Sequence, residues 1–173
     1  MTALCRFDLL IQAAAQLREE GLSCNVLLVG DGPAAPALKR MAEERGQPVH
    51  FFGPCYDEQV ISQLIYRADL TVSPGKVGLT AMHSLQYGTP VITHDNDDEQ
   101  MPEVEAIVNG VTGARFRQND ASDLALVIRT WLSSDRDRAA VRAACRAEIA
   151  AHWNPHVQAT TIEQSIMKVL RHD

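Results

Sequence analysis

The sequence contains no apolar run of the roughly 18 residues that a membrane-spanning helix needs. Aromatic residues make up only 5% of the chain, and the formal net charge is −6. Basic residues are scattered, and where they are densest, between positions 129 and 146, acidic residues interleave them. A membrane-spanning protein is therefore excluded, and a nucleic-acid partner held by charge is not expected.

Cysteines and histidines are present, but not at spacings that bind a metal. The four cysteines, Cys5, Cys24, Cys55 and Cys145, form neither a C-x-x-C pair nor a zinc pattern, and the six histidines are dispersed. We therefore expect neither a metal nor a cofactor. Cys24 and Cys145 lie in apolar or alanine-rich patterns, which predicts small buried side chains in a reducing compartment. The opening residues lack the succession of a secretory signal, so we expect a cytoplasmic protein.

Short apolar runs alternate with helical patterns along the chain. With 173 residues, 46% of them hydrophobic, the chain is long enough for one globular domain, residues 1–173. Strands separated by helices predict an α/β fold: a doubly wound (Rossmann-like) parallel sheet with helices on both faces. The predicted strands are 24–30, 49–53, 69–73 and 90–93. The predicted helices are 7–20, 33–46, 57–68, 78–88, 122–133, 135–152 and 156–172, with 154–173 as the C-terminal helical segment.

The first of two glycine-containing turns contains Gly30, Asp31 and Gly32 and joins a predicted strand to a helix. It is a shortened form of the dinucleotide-binding fingerprint, whose third glycine is missing. Glycines at such a turn allow a backbone to approach a ligand closely. A plain strand-to-helix turn explains the same residues, so this turn alone does not define a site.

The second turn, from Ser73 to Gly78, is the stronger candidate for a ligand site. It contains Gly75, Lys76 and Val77 and runs into a helix. The unpaired amides and positive dipole end of a helix start suit an anion such as a diphosphate, and Lys76 adds a formal charge. In open parallel sheets, ligands bind beyond the carboxyl ends of strands, where both turns lie.

His83 lies about one turn into the helix that follows this loop. From there it can contact a ribose hydroxyl beside the phosphates, or it can be a hydrogen-bonded structural residue. No serine occupies a G-x-S-x-G turn, so a Ser/His/Asp triad is not supported. We assign no catalytic residue.

The order of these motifs resembles the C-terminal half of a retaining glycosyltransferase of family 4. The resemblance rests on RFDLLIQAAAQL, VLLVGDGP, VHFFG, ADLTVSPG with GLTAMHSLQYGTPVI, MPEV and NGVTGARF. That family has the GT-B architecture, in which two Rossmann-like domains enclose a cleft. The resemblance implies that this chain binds a nucleotide-sugar donor and that an N-terminal acceptor domain is missing. It also allows a peripheral location of the full-length protein at the inner face of the membrane.

The resemblance implies roles for individual residues. Gly78 and Leu79 match a turn whose amides hold the donor diphosphate, and Lys76 lies beside them. Gly30, Asp31 and Gly32 match a turn that lines the same pocket. The loop that cradles the nucleotide base corresponds to Phe52, Gly53, Pro54, Cys55 and Tyr56.

The chain departs from the family pattern where catalysis is concerned. Two family glutamates, E-x7-E, align with Gly75 and His83, so both carboxylates are missing. The resemblance makes His83 the candidate substitute for the glutamate that grips the ribose. The family's glycine pair aligns with Glu99 and Gln100, and its diphosphate-binding lysine aligns with Cys5.

We therefore expect the donor-binding domain of a glycosyltransferase that moves a sugar from a nucleoside diphosphate to an acceptor hydroxyl with retention. The isolated chain is expected to be inactive, because positioning of the acceptor is lost. One alternative is a fragment of a nucleotide-sugar epimerase, which shares the architecture. The other is a non-catalytic, degenerate α/β module for binding or assembly, favoured by the missing glutamates and opposed by the glycine turns.

The predicted sheet lacks its central strand. In the usual doubly wound order the first strand is central, and this sequence begins at the helix that would follow it. We expect strands 24–30 and 69–73 to pair directly, which would narrow the phosphate pocket above them. The alternative is a gap, filled by another chain or by self-association through the unpaired edges.

Overall fold

The structure is a computed structural model, and it describes residues 1–170. Residues 171–173, the predicted end of the last helix, lie outside the described residues. None of the helices that the structure describes has the length and hydrophobicity needed to span a bilayer. The strands are β1 (Val26–Val29), β2 (Val49–Gly53), β3 (Thr71–Ser73), β4 (Val91–His94) and β5 (Gly113–Phe116). The α-helices are α1 (Phe7–Glu19), α2 (Ala35–Glu44), α3 (Glu58–Arg67), α4 (Leu79–Gln86), α5 (Ala121–Leu132), α6 (Arg138–His152) and α7 (Pro155–Leu170).

All strand pairs are parallel, as predicted, but they form two sheets. β1 pairs with β2, starting with Val26 opposite Val49. β4 lies between β3 and β5, with Ile92 opposite Val72 on one side and Ala114 on the other. The order is therefore β1-β2 in one sheet and β3-β4-β5 in the other.

The predicted direct pairing of β1 with β3 is wrong. Within residues 1–170 no ladder joins these two strands. A short 3-10 turn, Ala3–Cys5, lies between the glycine turns that follow them. The N–H of Gly75 donates to the carbonyl of Cys5 (3.1 Å), and the N–H of Ala34 donates to the carbonyl of Met1 (3.2 Å). Because this segment contacts both turns, it keeps the carboxyl ends of β1 and β3 apart.

Helix α1 joins the two sheets through one hydrophobic core. Leu17 of α1 shares a buried cluster with Leu28 of β1, Ile92 of β4 and Phe116 of β5. Val91, next to Ile92 on β4, instead packs in a second cluster with α4 and α6. Successive strand residues point to opposite faces, so the two clusters lie on opposite sides of the sheet. The predicted helix layers on both faces are confirmed.

Two differences from the sequence prediction have local causes. Helix α6 begins at Arg138, later than the predicted residue 135, because Asp137 caps it by accepting the N–H of Ala139. Strand β5 falls in a segment for which no strand is predicted. Its sequence, GARF, has no apolar run, and it becomes a strand by pairing with β4.

The prediction of a buried side chain holds for Cys145 and fails for Cys24. Cys145 is fully buried, and burial raises its thiol pKa to about 11. Cys24 is only half-buried, because it precedes β1 instead of lying within it. Burial raises the pKa of the Cys24 thiol as well.

Candidate functional site

The loop between β3 and α4 leads into a helix start that no side chain caps. Gly78 is the N-cap residue, and α4 begins at Leu79. Within residues 1–170, the N–H groups of Gly78, Leu79 and Thr80 have no hydrogen-bond acceptor. The exposed side chain of Lys76 lies just before them. Unpaired amides, the positive end of the helix dipole and a cation together suit an anionic ligand.

Two other amides of the same loop point into the protein. The N–H of Gly75 donates to the carbonyl of Cys5, and the N–H of Val77 donates to Oε1 of Gln100 at 2.8 Å. The side chain of Val77 is fully buried. The predicted loop residues that retain a group for a ligand are therefore Lys76, Gly78 and Leu79.

Gly30, Asp31 and Gly32 lie at the carboxyl end of β1, on the other side of the 3-10 turn. The N–H of Gly30 donates to the carbonyl of Gly53, and the N–H of Gly32 donates to Oδ1 of Asp31, both at 2.7 Å. Gly32 has a φ of +149°, and a side chain there would collide with the backbone of Met1. This glycine is thus required by packing within the chain. Contact of the turn with a ligand stays a prediction.

His83 is exposed on α4, in the stripe that also contains Leu79 and Thr80. Residues three and four apart on a helix are neighbours, so His83 lies one turn from the open amides. Its predicted position on the helix is thus observed. Its role towards a ribose stays a prediction.

The predicted base-binding segment, residues 52–56, consists of the last two residues of β2 and the start of the loop that follows, at the same edge of the sheet. Phe52 is 41% exposed and Tyr56 is 93% exposed, so both rings are accessible to a ligand. The hydrogen bond between Gly30 and Gly53 connects this loop to the first glycine turn. The structure therefore brings this loop to the glycine turn at one edge, and its role in binding a base stays a prediction.

Sequence reasoning missed a group of polar residues that lie behind the β3–α4 loop. Nε2 of Gln100 donates to Oγ1 of Thr93 at 2.9 Å, and Thr93 donates onward to the carbonyl of Ser73 at 2.9 Å. These residues are far apart in sequence, so no local motif reveals their contacts. The one available signal was that Thr93 lies near the carboxyl end of a predicted strand.

His94, the last residue of β4, is a buried titratable group at this edge. Nδ1 of His94 accepts the N–H of Asn96 at 3.3 Å, which assigns the proton of the neutral ring to Nε2. Burial lowers the pKa of the imidazole. The carboxylates that oppose this shift are Glu99, Asp95 and Asp97, and Arg115 adds to it.

Residues 5–148 match the protein family described as Glycosyl transferases group 1. The GDP-mannose-dependent alpha-(1-6)-phosphatidylinositol dimannoside mannosyltransferase of Mycobacterium tuberculosis is 30% identical over 145 residues, which cover 82% of this chain and 36% of that protein. A glycogen synthase of Halorhodospira halophila is 28% identical over 137 residues, covering 76% of this chain and 28% of that protein. The chain thus spans well under half the length of either relative.

Solved structures show the same fold. Anabaena Alr3699/HepE in complex with UDP matches with a TM-score of 0.74 at 21% identity, over 99% of this chain and 46% of that chain. A sucrose-phosphate synthase of Thermosynechococcus elongatus matches with a TM-score of 0.77 at 21% identity, over 99% of this chain and 44% of that chain. At this level of identity the similarity concerns the fold alone.

Proposed function

Because the chain belongs to the family of glycosyl transferases group 1, we propose that it is the nucleotide-sugar donor-binding domain of a glycosyltransferase. The complete protein would move a sugar from a nucleoside diphosphate to an acceptor hydroxyl with retention of configuration. The observation that carries the proposal is the uncapped start of α4 beside Lys76. This start lies at the carboxyl edge of a parallel sheet, where ligands of such folds bind.

The diphosphate would be held by the amides of Gly78, Leu79 and Thr80. Phosphate oxygens are strong acceptors, and N–H groups at a helix start face them without needing to rearrange. When the bond between sugar and diphosphate breaks, negative charge grows on the leaving oxygen. The amides and Lys76 would stabilise that charge more than they stabilise the bound donor.

The nucleoside would extend from these amides along the carboxyl edge of the strands, from α4 towards the loop that follows β2. His83, exposed and one turn along α4, would contact the ribose. Phe52 and Tyr56 offer accessible rings for stacking on the base. The turn of Gly30, Asp31 and Gly32 would line the pocket. Gly75 and Val77, whose amides are paired within the chain, would contribute through the shape of the loop and not through a direct hydrogen bond to the diphosphate.

We further propose that an acceptor domain covers α7 in the complete protein. This helix has no buried residue, and Ile162, Ile166 and Leu170 are between 53% and 64% exposed. A row of apolar side chains of this kind marks a contact surface. Without the acceptor domain the isolated chain would bind a donor but transfer nothing.

A relative named as a phosphatidylinositol dimannoside mannosyltransferase supports a proposal on location. Lipid acceptors lie at a membrane surface, so we place the full-length protein in the cytoplasm, peripheral at the inner face of the membrane. The facing edges of β1 and β3 are a second proposed contact surface, through which the chain would self-associate.

Calorimetric titration with UDP, GDP and their sugar conjugates tests the diphosphate site. Gly78→Val should abolish most binding, because its side chain blocks the ligand's approach to the amides. A Cβ at this position meets only Met101, with Cγ at an ordinary 3.7 Å, so the smaller variant Gly78→Ala fits the fold and should weaken binding in the same direction. Lys76→Ala removes only a charge, so its effect should shrink as salt rises, whereas the effect of Gly78→Val should persist.

The ribose contact is tested in the same titrations. His83→Ala should weaken nucleotide binding by about 1–3 kcal/mol if a buried ribose hydroxyl loses its partner. His83→Gln keeps a hydrogen-bonding group and should stay within a few-fold of the unmodified chain. Failure of every nucleotide to bind would favour the non-catalytic module. Sugar transfer by the pure chain would refute the proposal that the isolated chain is inactive without an acceptor domain.

A further inference from the structure

We propose that Gln100 is a positioning residue that holds the β3–α4 loop in the shape needed to present its amides to the diphosphate. The inference rests on the proposed function, because it concerns the same phosphate site. The proposed role requires no contact between Gln100 and the ligand. It acts through Val77, the residue that directly precedes Gly78.

All hydrogen-bonding groups of the Gln100 amide are used. Oε1 accepts the N–H of Val77 at 2.8 Å, and Nε2 donates to Oγ1 of Thr93 at 2.9 Å and to the carbonyl of His94 at 3.2 Å. Turning the amide over would set its NH₂ against the N–H of Val77 and its oxygen against the carbonyl of His94. The network therefore admits one orientation of this side chain.

Thr93 extends the same network to the start of the loop. It is fully buried, accepts from Gln100, and donates its hydroxyl to the carbonyl of Ser73 at 2.9 Å. Ser73 is the last residue of β3. The loop is thus held at Ser73 by Thr93 and at Val77 by Gln100.

Fixing these two points constrains the amides that follow. The peptide unit is planar, so the backbone has only two soft dihedrals per residue. The N–H of Val77 is directed at Gln100 and the side chain of Val77 is fully buried, so the residue directly before Gly78 is held at two points. The N–H groups of Gly78 and Leu79 are then directed outward before a ligand arrives, and binding does not have to order them.

Gln100→Leu tests the inference, because leucine has nearly the same volume and no hydrogen bonds. The probes are UDP and GDP, each compared with its nucleoside, uridine or guanosine. The quantity measured is the ratio of diphosphate to nucleoside affinity. We expect Gln100→Leu to lower this ratio by about tenfold, as the loss of one or two hydrogen bonds allows, and to leave nucleoside affinity unchanged.

Gln118→Leu is the matched control. Its amide also makes two side-chain hydrogen bonds, to Asn96 at 2.8 Å and to Glu99 at 2.7 Å, but none to the β3–α4 loop. This variant should keep the same ratio of diphosphate to nucleoside affinity as the unmodified chain. Thr93→Val, which removes only the hydroxyl, is a second test variant and should act in the same direction as Gln100→Leu.

Amide hydrogen exchange gives a readout that does not depend on any ligand. The N–H of Val77 should exchange slowly in the unmodified chain and faster in Gln100→Leu, with the interior amides of α4 unchanged. Equal losses of nucleoside and diphosphate affinity, or an unchanged ratio with both test variants, would overturn the inference. If no nucleotide binds the unmodified chain, the proposed function fails. Unchanged hydrogen exchange at Val77 in Gln100→Leu would separately refute the proposal that Gln100 holds the loop.

Discussion

At the scale of single residues, His94 couples the stability of the fold to pH. Its side chain is 2% exposed, and burial lowers the pKa of the imidazole below its ordinary value of about 6.5. In the unfolded chain the ring takes up a proton near that pH, whereas in the folded chain it does so only at lower pH. The unfolded state therefore binds more protons in this window. As a result, the free energy of unfolding falls as the pH drops below about 6.5.

His94→Asn should remove part of this pH dependence. Asparagine does not titrate, and its carbonyl can still accept the N–H of Asn96. Urea unfolding at about pH 7 and about pH 5.5 gives the difference in the free energy of unfolding between the two conditions. Most carboxylates stay ionised across this range, so they contribute little to that difference. His50→Asn, which replaces an exposed histidine, is the control and should retain the difference. An unchanged difference in His94→Asn would show that other groups cause it.

At the scale of elements, α1 carries the connection between the two sheets. Its residue Leu17 is fully buried in the cluster that contains residues of both β1 and β4. Leu17→Ala should lower the free energy of unfolding by about 2–5 kcal/mol, because it removes buried methyl groups and leaves a cavity. Denaturant unfolding measures this change.

Leu126→Ala on α5 is the matched control for this change. Leu126 is 58% exposed, so its truncation should cost well under 1 kcal/mol. A similar small cost for Leu17→Ala would contradict the assignment of α1 as the joint between the sheets.

At the scale of the whole molecule, no described strand pairs with the edge of β1 that faces away from β2, and apolar side chains of β1 beside this gap are uncovered. Leu27 and Val29 of β1 are each 39% exposed, although parallel strands are normally covered on both faces. Helix α3 likewise has no buried residue. Exposed strand edges with apolar side chains attract other chains. We expect the chain to associate as its concentration rises.

Sedimentation velocity over a range of concentrations measures this association. Leu27→Lys places a charge on β1 beside the gap and should shift the chain towards the monomer. Leu126→Lys adds the same charge at an exposed site on α5 and should leave association unchanged. If the chain stays monomeric at the highest concentration, the proposal that it self-associates through the unpaired edge of β1 is wrong.

Local patterns in the sequence were sufficient to identify the fold class and to place both glycine turns at one edge of the sheet. The apolar run before Gly30 and the run before Ser73 each predict a buried strand. Parallel strands place their carboxyl ends at one edge, so the two glycine turns could be assigned to that edge without coordinates. The start of α4 at Leu79 and the place of His83 on it follow from the helical pattern.

Only the tertiary structure decided which groups of that edge are open. The N–H of Val77 looks available in the sequence but is paired with Gln100, and strand β5 exists only because β4 pairs with it. The gap beside β1 depends on where the segment before α1 packs. Whether a segment forms a buried strand depends on side chains that are close together in the sequence, so their pattern predicts it. Hydrogen bonds between distant segments depend on the packed positions of both partners, which the sequence does not display.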